Sequence, residues 1–106
     1  MPNYIIAYLG EAKKPDSPEA GKAQMAKWKA WVGSLGDAVV NPGSPMGKSN
    51  IVTADGISSD DRTDGMTGFS IVSADNLEIA LEMAQACPYI EAGGTLQVAE
   101  LIEMKM

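Results

Sequence analysis

The chain of 106 residues contains no histidine. That removes Ser-His-Asp and Cys-His chemistry and every metal site built on imidazole. Cysteine is nearly absent too: Cys87 stands alone, so no internal disulfide can form, which suits a reducing compartment. Basic residues are scarce, with eight Lys and Arg against fourteen Asp and Glu. The resulting net charge of −6 repels phosphate backbones and anionic lipid alike, so neither nucleic acid nor a membrane surface is an expected partner. No apolar run approaches the ~18 residues needed to span a bilayer. Met1-Pro2-Asn3 has neither the basic flank nor the apolar stretch of a secretory signal, and the expected location is cytoplasmic. What remains is ordinary for a folded protein, 45% hydrophobic and 21% charged. At this length a single domain over residues 1–106 is expected.

Asn3 to Leu9 (NYIIAYL) is rich in β-branched and aromatic residues and ends at Gly10, which predicts a strand. Tyr4, Ile6 and Tyr8 share one face, and Ile5, Ala7 and Leu9 the other. Both faces are apolar, so this strand is expected to be central and covered on two sides. A polar loop over 10–16 follows. Ser17-Pro18-Glu19 then predicts a helix start, running to about Leu35 with Gly36 as a left-handed C-cap. Met25, Trp28, Val32 and Leu35 form its expected buried stripe, with Trp31 on the edge and Lys22, Lys27 and Lys29 in solvent.

Short strands are predicted at 37–41 and 50–53, separated by turn-rich sequence, and residues 55–65 read as an exposed acidic loop. Gly68 to Ala74 is a better strand, with Phe69 and Ile71 facing opposite to Ser70 and Val72. Asp75 caps a second helix whose apolar stripe is Leu77, Ala80, Leu81 and Ala84, with Glu78 at capping-box spacing and Pro88 as its stop. Thr95 to Ile102 is the last strand. The order β-α-β, an extra strand, then β-α-β predicts an α+β fold of the ferredoxin-like type: a split βαβ antiparallel sheet with two helices on one face. Two helices cover only one side of such a sheet. The simplest cover for the other is a second copy, which predicts a homodimer through the sheet faces.

Four segments invite chemistry. Gly43-Ser44-Pro45-Met46-Gly47-Lys48-Ser49 has one residue too few between its glycines for a phosphate loop and precedes a strand, so it reads as a turn. Asp55, Asp60, Asp61 and Asp64 lack the closing Glu of a calcium hand, since the twelfth position from Asp60 is Ile71. Cys87 ends a helix, where the dipole disfavours thiolate, and reads as a small buried hydrophobe. The aromatic and Met set of Tyr4, Tyr8, Trp28, Trp31, Met46, Phe69 and Tyr89 reads largely as core, with a sheet–helix pocket as the alternative.

Several motifs occur in a familiar order. Cys87-Pro88-Tyr89-Ile90-Glu91-Ala92-Gly93 resembles the Asp-Pro-Tyr-Val-Glu-Ala-Gly-like segment before the last strand of YCII-related proteins. Met25 to Trp31, Leu35-Gly36, Asn41-Pro42-Gly43 and Gly68-Phe69-Ser70-Ile71-Val72 are similar to the helix, turn and strand signatures of the wider YCII/DGPF group. Asp64-Gly65 is similar to the start of DGPF, with Met66-Thr67 in place of Pro-Phe. The resemblance implies a dimeric ferredoxin-like α/β barrel. It also implies kinship with a dechlorinating enzyme of aromatic degradation, and with proteins for which a helix histidine and an acidic partner are the proposed catalytic pair. The position matching that histidine is Gln24, which hydrogen-bonds but cannot shuttle protons near neutral pH.

No catalytic residue, cofactor or metal ligand is therefore assigned. The expected function is binding of a small apolar or aromatic molecule in a pocket using Gln24, Trp28 and Trp31 on the helix side, Tyr8 on the sheet and Tyr89 near the last turn. Two alternatives stand beside it. One is a metal-free enzyme acting on an aromatic or quinone-like substrate; the other is a non-catalytic interaction domain.

Overall fold

The computed structural model describes residues 1–10, 16–60 and 65–104. The elements are β1 (Asn3–Leu9), α1 (Pro18–Leu35), β2 (Val39–Pro45), β3 (Asn50–Thr53), β4 (Gly56–Ser59), β5 (Met66–Ser73), α2 (Leu77–Gln85), α3 (Pro88–Glu91) and β6 (Thr95–Leu101). The main sheet runs β2-β5-β1-β6, antiparallel throughout, while β3 and β4 pair separately as a hairpin. This is the ferredoxin-like order, with the hairpin inserted between the second and third strands of the sheet.

β1 and β5 are the two inner strands, and β1 is apolar on both faces. Tyr4, Ile6 and Tyr8 are buried toward the helices, beside Ser70 and Val72 of β5. They meet Trp31 of α1 and Ala80 and Ala84 of α2 in one core cluster. Burying an isoleucine such as Ile6, at 0% exposure, stabilises the fold by about 2 kcal/mol. On the other side of the sheet, the register aligns Ile5 with Ile71 and Ala99, Ala7 with Phe69, and Asn3 with Leu101. Ala7 apart, these apolar residues are half-buried or exposed.

The helix phases differ from the sequence reading. In α1, Ser17 caps as expected, its Oγ accepting from the Ala20 N–H at 3.1 Å. Trp28, Val32 and Leu35 of the expected stripe do pack against the core, but the buried face is rotated so that Trp31, 5% exposed, is its centre and Met25 is 56% exposed. A tertiary hydrogen bond accompanies the rotation, because the Trp31 indole donates to the Met83 carbonyl at 2.9 Å and takes its ring inward. α2 is rotated likewise. Ala80 and Ala84 pack on the sheet, Ile79 and Met83 flank them, and Leu77 and Leu81 are exposed. Its N-cap is Asn76, whose Oδ1 accepts from the Ile79 N–H at 3.0 Å, one residue beyond the expected Asp75. Asn and Asp cap equally well, so the two were not separable by type.

Gly36 has a positive φ of 56° but a ψ of −127°, outside the left-handed helical basin, and leads into a 3-10 turn over Gly36–Ala38. β2 consequently begins at Val39 and runs on through Pro42-Gly43, which the sequence reading placed in a turn. Edge position and two register shifts allow this, since an edge strand spares the donor that Pro42 lacks. Residues 56–59, read as part of an acidic loop, form β4 by pairing with β3 across the expected Asp55-Gly56 turn. Pro88 does stop α2, but it also occupies the first turn of α3, a position where its missing N–H costs nothing. Most of the polar loop over 10–16, together with Asp61 and Asp64, lies outside the described residues.

Candidate functional site

An open, largely apolar cleft of about 560 Å³ lies between α1 and the sheet. α1 contributes Gly21, Gln24, Met25 and Trp28; β1 contributes Tyr8; β2 contributes Gly43, Ser44 and Pro45. Thr67 and Gly68 of β5 and Pro88 and Tyr89 of α3 complete the lining. A cavity of about 150 Å³ already holds benzene, so this one has room for a substituted ring.

Three rings build the wall. Tyr8 lies 5.5 Å from Trp28 at 55° and 5.1 Å from Tyr89 at 59°, centroid to centroid. These tilted contacts match the preferred geometry of aromatic pairs. Trp31 extends the row behind Trp28 at 5.2 Å, but it does not line the cleft. Of the five expected pocket residues, Tyr8, Gln24, Trp28 and Tyr89 therefore surround one space, and Trp31 braces it from the core. Its inward turn toward Met83 is the physical reason.

Each hydroxyl in the wall is held by the protein. Ser70 Oγ gives its hydrogen to the Pro42 carbonyl at 3.0 Å, so the Tyr8 hydroxyl donates to Ser70. Tyr89 donates to the carbonyl of Gly10 at 2.8 Å, with Leu9 at 3.2 Å. Thr67 donates to the same Gly10 carbonyl at 3.0 Å. Burial pushes the Tyr8 phenol well above its ordinary pKa, so it stays neutral at physiological pH. The Cys87 thiol, 2% exposed behind the cleft, is also raised, first by burial and against a hydrogen bond from the Tyr89 backbone. Desolvation thus disfavours its thiolate, where the sequence reading invoked a helix C-terminus. Gln24 and the Trp28 indole N–H have no hydrogen-bond partner among the described residues.

Tyr89 owes its place to Gly94, a residue to which the sequence reading gives no role. A Cβ added at Gly94 would sit 2.2 Å from Cδ2 and Cε2 of the Tyr89 ring and 2.8 Å from its carbonyl oxygen. Gly94 is needed for room, whereas its neighbour Gly93, with φ at +88°, is needed for the backbone. Ser70 and Thr67 were also missed, since their partners lie up to 62 residues away in sequence. The described lining carries no carboxylate, thiol or imidazole with which to ligate a metal. Its capabilities are apolar contact and neutral hydrogen bonding.

A four-stranded antiparallel sheet with its helices on one face and a cleft beneath the first of them defines a protein of the ferredoxin-like, dimeric α/β-barrel type. The YCII-related domain matches residues 4–105, and the chain belongs to that family. No curated protein matches its sequence. Among solved structures, it is similar to the 5-chloro-2-hydroxyhydroquinone dehydrochlorinase of Burkholderia phenoliruptrix AC1100 in complex with 2,5-dihydroxybenzoquinone. The TM-score is 0.57 at 18% identity, over 96% of this chain and 95% of that one. At that identity the likeness establishes the fold. Among the described residues, no helix is long and apolar enough to cross a membrane.

Proposed function

We propose that this YCII-related chain is a homodimeric protein that binds a small apolar or aromatic molecule in the cleft between α1 and the sheet. The observation that carries the reading is the row of Tyr89, Tyr8 and Trp28 around an open space, with the Gln24 amide left unpaired at its side. Plain core packing leaves no such space. Tyr8, Gln24, Trp28 and Tyr89 make the contacts, the rings by stacking and Gln24 by hydrogen bonding, while Trp31 supports Trp28. The second copy covers the apolar sheet face.

A second reading, an enzyme acting on a quinone-like substrate, draws on the structural neighbour, which is such an enzyme and holds a quinone. Against it stand Gln24, which cannot exchange a proton, and a Tyr8 hydroxyl too weakly acidic to act as a base near neutral pH. Binding without acid–base turnover is the better fit.

Tryptophan fluorescence tests the reading, since both indoles lie in or behind the wall. Titration with a panel of phenols, quinols and quinones is expected to give a saturable change that Trp28→Ala weakens at least tenfold. A flat response across the panel would leave the interaction-domain reading in its place.

A further inference from the structure

We infer that the cleft selects uncharged, hydroxyl-bearing rings, phenols and quinols, over ring anions such as hydroxyquinones; this rests on the binding reading above.

The inference comes from counting donors. Among the described residues, no Lys, Arg, Asp or Glu lines the cleft. Lys27, next to Trp28 in sequence, is engaged outside it by Glu91 at 2.6 Å. The hydrogens of Tyr8, Thr67 and Tyr89 are already given to Ser70 and to the carbonyl of Gly10. Their oxygens therefore offer lone pairs to an incoming molecule, which attract an O–H and repel an anionic oxygen. The donors left over are the Gln24 amide and the Trp28 indole, both neutral.

An anion entering this space loses part of its hydration and, among the described residues of the lining, meets no positive charge to offset the loss. The chain's net charge of −6 works in the same direction at longer range. A phenol or quinol has the complementary inventory. Each of its hydroxyls carries a hydrogen for the Tyr89 or Thr67 oxygen and a lone pair for Gln24 or Trp28. A hydroxyquinone is a vinylogous carboxylic acid and is an anion at neutral pH, whereas the reduced ring keeps its protons. Oxidation state of the ring thus becomes charge, and charge decides entry.

Calorimetric titration of the full chain at pH 7 without oxygen, with hydroquinone and with 2,5-dihydroxybenzoquinone, tests this. Hydroquinone is expected to bind at least tenfold more tightly. Gln24→Lys, on the half-exposed side of α1, is expected to reverse the order by at least tenfold. Equal or tighter binding of the anion by the unaltered chain overturns the selectivity while leaving the binding reading intact. An unchanged order in Gln24→Lys overturns the charge argument. Binding of neither compound overturns the binding reading itself.

Discussion

Tyr89 is the residue on which the cleft's outer wall depends, and its position depends on a missing side chain. Its hydroxyl reaches back across 79 residues to the Gly10 carbonyl because the ring packs closely against Gly94. Gly94→Ala is expected to turn the ring and loosen that bond, destabilising the fold by about 1–3 kcal/mol, the usual range for overpacking. Urea unfolding measures the loss. Tyr89→Ala/Gly94→Ala is expected to recover part of it, because the ring contact is gone and only the 2.8 Å approach to the carbonyl remains. At this scale the sequence showed which side chains gather: Tyr8, Gln24, Trp28 and Tyr89 surround one space. It did not show that Trp31 turns away, because nothing local announces a partner such as the Met83 carbonyl, 52 residues on. Ser70 was illegible for the same reason, its partner Tyr8 lying 62 residues away, whereas Gly94 was missed because the sequence does not show that the Tyr89 ring folds back onto it.

Elements were legible where their signals are local. Ser17-Pro18 placed the start of α1, and the alternation in β1 and β5 placed the two central strands. Signals failed where two neighbouring residues qualify or where pairing overrides composition. β4, with only Ile57 apolar among GISS, exists through its partner β3 and carries no periodicity of its own. Asp75 and Asn76 are chemically equivalent caps, and the backbone settles on Asn76. Asn76→Ala is therefore expected to cost about 1 kcal/mol. Asp75→Ala, in an exposed position without a capping bond, is expected to cost less than about half of that. Thermal melts of the two variants check the difference. The helix faces were legible in part: Trp28, Val32 and Leu35 pack as their spacing implies, while Trp31 turns inward to the Met83 carbonyl and α2 meets the sheet on Ala80 and Ala84 with Leu77 and Leu81 exposed.

The whole molecule has two working faces. The helix side encloses the cleft, and the sheet side carries Ile5, Phe69 and Ile71, half-buried, and Leu101, exposed. Apolar patches of this kind are uncommon on small monomers and mark surfaces of association. The proposed two-fold pair would bury the patch of each copy against the other and leave both clefts open. The fold class and this unpaired face followed from the apolar pattern of β1 on both its sides, which is why the architecture was easier to read than the cleft. That the chain is half of a two-copy assembly is the central claim about the whole molecule. Sedimentation equilibrium at micromolar concentration tests it: the predicted particle has twice the 11.1 kDa of one chain. A stable, non-aggregating species of 11.1 kDa would contradict it.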